Sequence, residues 1–272
     1  MLEIKRKVGF EGSLKAFFDH LRTDPQFKFA SKQALLDGYD AIRSRVDAAV
    51  PKLFTLTPRS PFEIRPVPEY SERSQAAGYY RPGTPDGSRP GIFFVNTYDL
   101  PSRTTPRMET LFLHEAIPGH HFQIALAQEN ESLPNFMRFD GNTAFAEGWA
   151  LYAESLGPEL GMFTDPYQAF GSLDDEMLRA IRLVVDTGIH ARGWSREQAI
   201  RYMLDNSAQS ETDARAEVER YIAIPGQALA YKVGALTIRR LRTEAEQALG
   251  ERFDPREFHA QVLDTGALPM AV

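Results

Sequence analysis

The chain has 272 residues, 43 % hydrophobic and 25 % charged, with no cysteine and a formal net charge of −6. This composition provides for a sizeable buried core and excludes disorder, collagen-like repeats and a disulfide-stapled scaffold. It also excludes thiol catalysis, iron–sulfur clusters and cysteine-ligated zinc, so that any metal falls to His, Asp or Glu.

The acidic balance argues against a nucleic-acid binder. No apolar run reaches the roughly 20 residues of a membrane span. The basic start, Met1 to Lys7, has no apolar segment behind it and does not read as a secretory signal. With no disulfides, a cytoplasmic or periplasmic location is expected. The last residues, 266–272, stop without a helix-ending signal and read as a truncation.

Residues 11–50 read as a helical pair. Leu14, Phe17, Phe18 and Leu21 follow the spacing of one helical face. Ser31 is placed to cap a second helix with Leu35, Tyr39, Ile42 and Val46 on one side. Residues 51–105 are proline-rich, which predicts a small sheet with loops rather than long helices. Phe62–Arg65 alternates, and Gly91–Asn96 is β-prone and follows an Asp86-Gly87 turn. From 106 to 272 the pattern is helical. Pro106 opens a helix to about 117, Asn142 or Thr143 starts the next, and a long one covers about 167–192. Ser195 to Gln198 has the form of a capping box, and Ser210 and Asp254-Pro255 mark further starts. The sequence thus predicts a mainly α fold with a small β-sheet, an α+β class, as a single catalytic domain over 1–272.

Three of the six histidines fall within residues 114–121, in Leu113-His114-Glu115-Ala116-Ile117-Pro118-Gly119-His120-His121-Phe122. A His-Glu pair followed by His is similar to the zinc hydrolase motif H-E-x-x-H, whose histidines share one helical face with a general-base Glu between them. Here the spacing is longer. On a regular helix six residues leave His120 about 240° away from His114, and seven carry His121 about 10 Å along the axis. Neither then shares a zinc with His114, because Zn–N bonds are only about 2.0–2.1 Å. Pro118 lacks an N–H and would clash with the carbonyl of His114, while Gly119 admits unusual backbone angles. A helix broken there would swing His120 back toward His114. A catalytic zinc needs a third ligand and an open position. Glu147, in an apolar helical stretch, is the candidate, and Glu154 on the same face is placed to orient a ligand from behind.

The chain resembles the C-terminal half of the bacterial domain-of-unknown-function family 885, a gluzincin-like metallopeptidase group. The matching stretches include GSLKAFF (12–18), RPVPEY (65–70), DGSRPGIFFVNTYDLPSR (86–103), HEAIPGHHFQIA (114–125), AFAEGWALYAE (144–154), DTGIH (186–190) and ERYIAIPGQALAYKVG (219–234). The resemblance implies that family members are about twice as long, with an N-terminal helical half and a short C-terminal tail expected to lie outside this stretch. That N-terminal half is expected to pack on this domain and help enclose the cleft.

The resemblance implies a gluzincin core binding Zn2+ through His114, His120 and Glu147, with His121 as the alternative second ligand. Related groups carry H-E-x-G-H and H-E-x-x-G-H, and this Gly-His ending favours His120. It further implies Glu115 as general base, with His190, Tyr231 and Tyr221 as candidate oxyanion donors. The strand at Ile92–Asn96 is the expected sheet edge for an extended peptide substrate. The expected activity is hydrolysis of short peptides by a zinc metallopeptidase. The alternatives are a metal-dependent amidohydrolase or esterase on a non-peptide substrate, and a non-catalytic peptide-binding module.

Overall fold

Ser13, Ser31, Asn142, Asp165, Ser195, Ser210 and Asp254 each accept a hydrogen bond from a backbone amide of the turn that follows. They satisfy amides that a helix leaves without an internal partner, and so fix where these helices begin. The computed structural model describes residues 1–271. Its helices are α1 (Leu2–Lys7), α2 (Leu14–Thr23), α3 (Lys32–Ala49), α4 (Met108–Glu115), α5 (His120–Glu129), α6 (Asn135–Phe139), α7 (Thr143–Ser155), α8 (Pro166–Arg192), α9 (Arg196–Asn206), α10 (Glu211–Ala223), α11 (Ala230–Leu249) and α12 (Pro255–Asp264). The Ser195 capping box forms in full, with the Gln198 side chain returning to the Ser195 amide.

Between α3 and α4 lie β1 (Phe62–Pro66), β2 (Gly78–Arg81) and β3 (Gly91–Val95). The sheet order is β1-β3-β2, with β1 parallel and β2 antiparallel to β3. The fold is therefore mainly helical with a small three-strand mixed sheet. β2 was not foreseen, and it changes the reading of β3. The Ile92–Asn96 stretch is not an edge: β3 is paired on both sides and buried along its length.

The sheet packs on α3 through Tyr39, Ile42 and Val46, and on α4 through Phe112 and Leu113. Trp149 and Tyr152 of α7 close the same core from the other side. The short α4 is thus held between the sheet and α7, which explains why nearly every one of its residues is buried. A second core joins α8, α9 and α10 through Leu178, Ile181, Met203, Val218 and Tyr221. A third sets Phe17, Phe18 and Leu21 of α2 against Phe170 of α8.

Two helices cross with almost no space between their backbones. A Cβ on Gly148 of α7 would lie 2.5 Å from Cα of Gly234 on α11, and one on Gly234 would lie 1.9 Å from the Ala144 carbonyl oxygen. Only glycine permits this approach. It brings Glu147, beside one glycine, and Tyr231, one turn before the other, to the same cleft.

Candidate metal centre

α4 stops at Glu115, and α5 starts at His120. The helix expected to reach about 117 breaks within the segment that Pro118 and Gly119 predicted. The Ile117–Pro118 peptide is cis. Gly119 folds so closely onto the last turn of α4 that a Cβ would lie 1.9 Å from the His114 carbonyl oxygen. From α7, the buried Trp149 indole donates to the Pro118 carbonyl at 2.8 Å and pins the junction.

This junction sets the His114 and His120 rings at 4.8 Å between centroids, nearly perpendicular. Glu147 joins them from α7. Its Oε2 lies 3.5 Å from His114 Nε2 and 3.3 Å from His120 Nε2. All three ligand atoms fall within 4.8 Å of one another. Ligands on a tetrahedral zinc with bonds of about 2.0–2.1 Å stand about 3.3–3.4 Å apart, so the residues fit such an ion. Glu147 Oε2 is buried with no hydrogen-bond partner, as is His120 Nδ1. A buried carboxylate oxygen left alone is costly, and a cation is one way to satisfy it.

The second layer is equally specific. His114 Nδ1 lies 2.7 Å from Glu154 Oε1. Thr110 donates to the other Glu154 oxygen at 2.7 Å, and Arg179 Nη2 donates to Oε1 at 2.9 Å. With its Nδ1–H held by Glu154, His114 turns the lone pair of Nε2 toward Glu147 and His120. Burial works against a charged His114, but the adjacent carboxylates of Glu147, Glu154 and Glu115 outweigh it and raise the imidazole to about 9, so a proton competes with a cation for the Nε2 lone pair. Burial likewise opposes the Glu147 carboxylate, and His120 and His114 hold it well below the usual range.

His121 turns the other way. Its Nδ1 lies 2.9 Å from the Tyr80 hydroxyl on β2, and its ring packs against Phe62. Burial holds it down at about 4. Of the two adjacent histidines, the structure brings His120 to His114 and Glu147 and sends His121 to the sheet.

The three groups open into a cavity of about 360 Å3 lined by Glu115, Tyr231, Arg220 and the segment 74–80 with β2. Glu115, the last residue of α4, also lines an adjoining cavity. Tyr231 stacks on His114 at 6.0 Å, and its hydroxyl accepts from Arg220 at 2.9 Å. Gln227 Nε2 bridges from Glu147 Oε1 at 3.3 Å to the Tyr231 hydroxyl at 3.4 Å.

The other two expected donors do not line this cavity. The buried Tyr221 hydroxyl donates to Glu217 at 2.5 Å and accepts from Arg182 at 3.2 Å. His190 Nε2 lies 2.9 Å from the Tyr221 carbonyl oxygen, so it braces α8 against α10. Neither placement supports a role as oxyanion donor. Nor is His190 paired with Asp186, which accepts from the Gly226 amide.

Sequence reading missed Thr110, Arg179, Arg220 and Gln227. Arg179 sits in a run of α8 acids and bases that looks like a solvated face. Gln227 lies in the Ile224-Pro225-Gly226-Gln227 turn, whose Pro-Gly pair was the available signal.

Comparison with known proteins places these features in a family. No curated protein matches the chain. The crystal structure of a candidate lipoprotein from Colwellia psychrerythraea superposes with a TM-score of 0.95 at 41 % identity, over 99 % of this chain and 47 % of that one. A candidate lipoprotein of unknown function from Shewanella oneidensis gives 0.79 at 26 % identity, over 99 % of this chain and 51 % of that one. The chain therefore spans about half the length of these solved relatives. Among its described residues no helix is long and apolar enough to cross a membrane. The model of the family described as bacterial protein of unknown function, DUF885, matches residues 1–272, and the chain belongs to that family.

Proposed function

We propose that this chain carries the catalytic centre of a zinc-dependent peptidase with a gluzincin-like core. The observation that carries the reading is the donor set. Two histidine nitrogens stand 3.5 and 3.3 Å from one Glu147 oxygen that has no other partner. His114, His120 and Glu147 would hold the ion and leave a fourth position toward the cavity. When bound, zinc supplies a Lewis acid that polarises water and a substrate carbonyl.

The protein's own groups supply the rest. Glu115 is the only acid lining the cavity besides the ligand Glu147 and the arginine-paired Glu217. It takes a proton from the attacking water at its carboxylate and returns it to the leaving amine. The Tyr231 hydroxyl, with Arg220 behind it, faces developing negative charge as a donor. β2 pairs only with β3 among the described residues and lines the cavity. Its open edge suits an extended peptide better than a compact ester or amide, and so favours peptidase over the non-peptide alternatives. At about 360 Å3 the cavity lies at the small end of ligand sites, which fits a short segment.

Metal analysis with Glu115→Gln tests the reading. Wild type is expected to retain one zinc per chain and cleave members of a short-peptide library. The variant should retain zinc and cleave none. A wild type that takes up no zinc, or a variant that cleaves as fast as wild type, rejects it.

A further inference from the structure

The cavity next to the donor set has a wall of arginines: Arg107, Arg179, Arg182 and Arg220. Three of them are already matched. Arg107 pairs with Asp175, Arg179 with Glu154 at 2.9 Å and Asp175 at 3.3 Å, and Arg182 with Glu217 at 2.7 Å. Of the acids of the same wall, Asp175 and Glu217 hold these arginines, Asp213 takes Arg103 at 3.5 Å and the Ser210 hydroxyl at 2.8 Å, and Glu115 is the proposed base.

Arg220 is different. Both of its hydrogen bonds leave from Nη2, to the neutral Gln227 Oε1 at 3.0 Å and the neutral Tyr231 hydroxyl at 2.9 Å. Its nearest carboxylate is Glu217 Oε1, 3.9 Å away, and that acid is committed to Arg182. A guanidinium has five donors, so Nε and Nη1 remain for a ligand. The side chain is 34 % exposed and lines both cavities, with Tyr231 and Gln227 linking it to the ligand Glu147. Three of the paired arginines around it also keep one buried nitrogen each without a partner: Arg107 Nε, Arg179 Nε and Arg182 Nη1.

We infer that Arg220 recognises a free carboxylate of the substrate, and that the substrate class is peptides whose C-terminal carboxylate lies next to the bond to be cut. The inference rests on the peptidase reading for the cut, but not for the binding. Guanidinium and carboxylate pair through charge-assisted N–H···O bonds, and Nε and Nη1, on opposite sides of the Arg220 guanidinium, each leave a donor for such a bond. Position sets the carboxylate near the cut, since Arg220 lines one cavity with His114, His120 and Glu147. The adjoining cavity is about 90 Å3, a quarter of the 360 Å3 at the donor set. A carboxylate group fits that space.

Binding without turnover tests this. Zinc-loaded Glu115→Gln protein would be titrated by calorimetry with N-acetyl tripeptides bearing aromatic, aliphatic or basic C-terminal residues. Each would be used as the free acid and as the amide. Free acids are expected to bind about tenfold to a hundredfold more tightly than their amides, the scale of a charge-assisted pair. Adding Arg220→Gln should erase that difference by weakening the acids far more than the amides. Adding Tyr231→Phe should preserve it, which separates Arg220 itself from its neighbour. If no acid outbinds its amide, if the preference survives in Arg220→Gln, or if a Glu-ended amide binds as well as a free acid, the inference is overturned. A failure of the peptidase reading would look different: free acids would bind through Arg220, and zinc-loaded wild type would cleave nothing.

Discussion

α7 and α8 both face the candidate site, yet they bring charge to it in opposite ways. α7 has only two charged residues, Glu147 and Glu154, set among Phe145, Trp149, Leu151 and Tyr152. Both of its acids are spent on histidines of the donor set. α8 buries Asp174, Asp175, Arg179, Arg182 and Asp186, and most of these bond one another or neighbouring elements. In α7 charge is left unsatisfied, at Glu147 Oε2. In α8 charge is mainly scaffolding, and its one link to the donor set is Arg179 behind Glu154.

The sharpest break of this contrast replaces one charged residue from each side. Glu147→Leu is expected to abolish zinc retention, measured as metal content after dialysis, with a smaller loss of metal-free stability than a broken arginine pair of α8. It removes a buried carboxylate oxygen that has no partner. Arg182→Met should do the reverse, leaving Glu217 buried without its guanidinium. That costs about 3–5 kcal/mol, read as a lower urea midpoint. Replacing both Arg182 and Glu217 by apolar residues should recover much of the loss. Equal effects of Glu147→Leu and Arg182→Met on stability would erase the distinction between the helices.

The far face of α7 gives the next largest effect, in pH. His259 of α12 is buried between the Tyr152 hydroxyl, 2.8 Å from Nε2, and the Leu53 carbonyl, 2.8 Å from Nδ1. Burial holds it at about 4, below the ordinary 6.5. The unfolded chain therefore takes up the proton first as pH falls. The contribution is complete above about 6.5 and is lost between 6.5 and 4. It amounts to about 3 kcal/mol. His121, held at about 4 in the same way, adds a loss of the same sign. Urea midpoints that stay flat from pH 7 to pH 4 would contradict both assignments.

Glu154→Gln keeps the shape but removes the charge behind His114. Zinc affinity should fall about tenfold to a hundredfold, as for other groups that orient a ligand from behind. Competition with a chelating dye would measure it, and an unchanged affinity would reduce Glu154 to scaffolding like α8. The smallest effect belongs to Tyr80→Phe. It leaves the buried His121 Nδ1 without its partner and should cost about 1 kcal/mol by thermal unfolding.

How much was legible follows the same division. Helix starts were readable wherever a short polar side chain precedes an apolar pattern, as at Ser31, Ser195 and Ser210, because capping is a local interaction. The break before His120 was readable because proline and glycine act on their own backbone. Glu147 stood out because it sits in an apolar helix. β2 was missed because it is four residues long and carries no alternation, and without it β3 was taken for an edge. Arg179 and Arg220 were missed because a helix that pairs its charges internally has the same composition as one that faces water. Nothing local separates the two, since the partners Glu154 and Tyr231 come from other helices.

His120 and His121 are neighbours in the chain, and consecutive side chains on a helix diverge by about 100°. One leads to Glu147 and the other to Tyr80 on the strand that lines the cavity. The strand and the metal donors are therefore joined through a single Cα–Cα step of about 3.8 Å. That step is a covalent ruler. Under the peptidase reading, it sets the distance between where an extended chain would lie and where its bond would be cut.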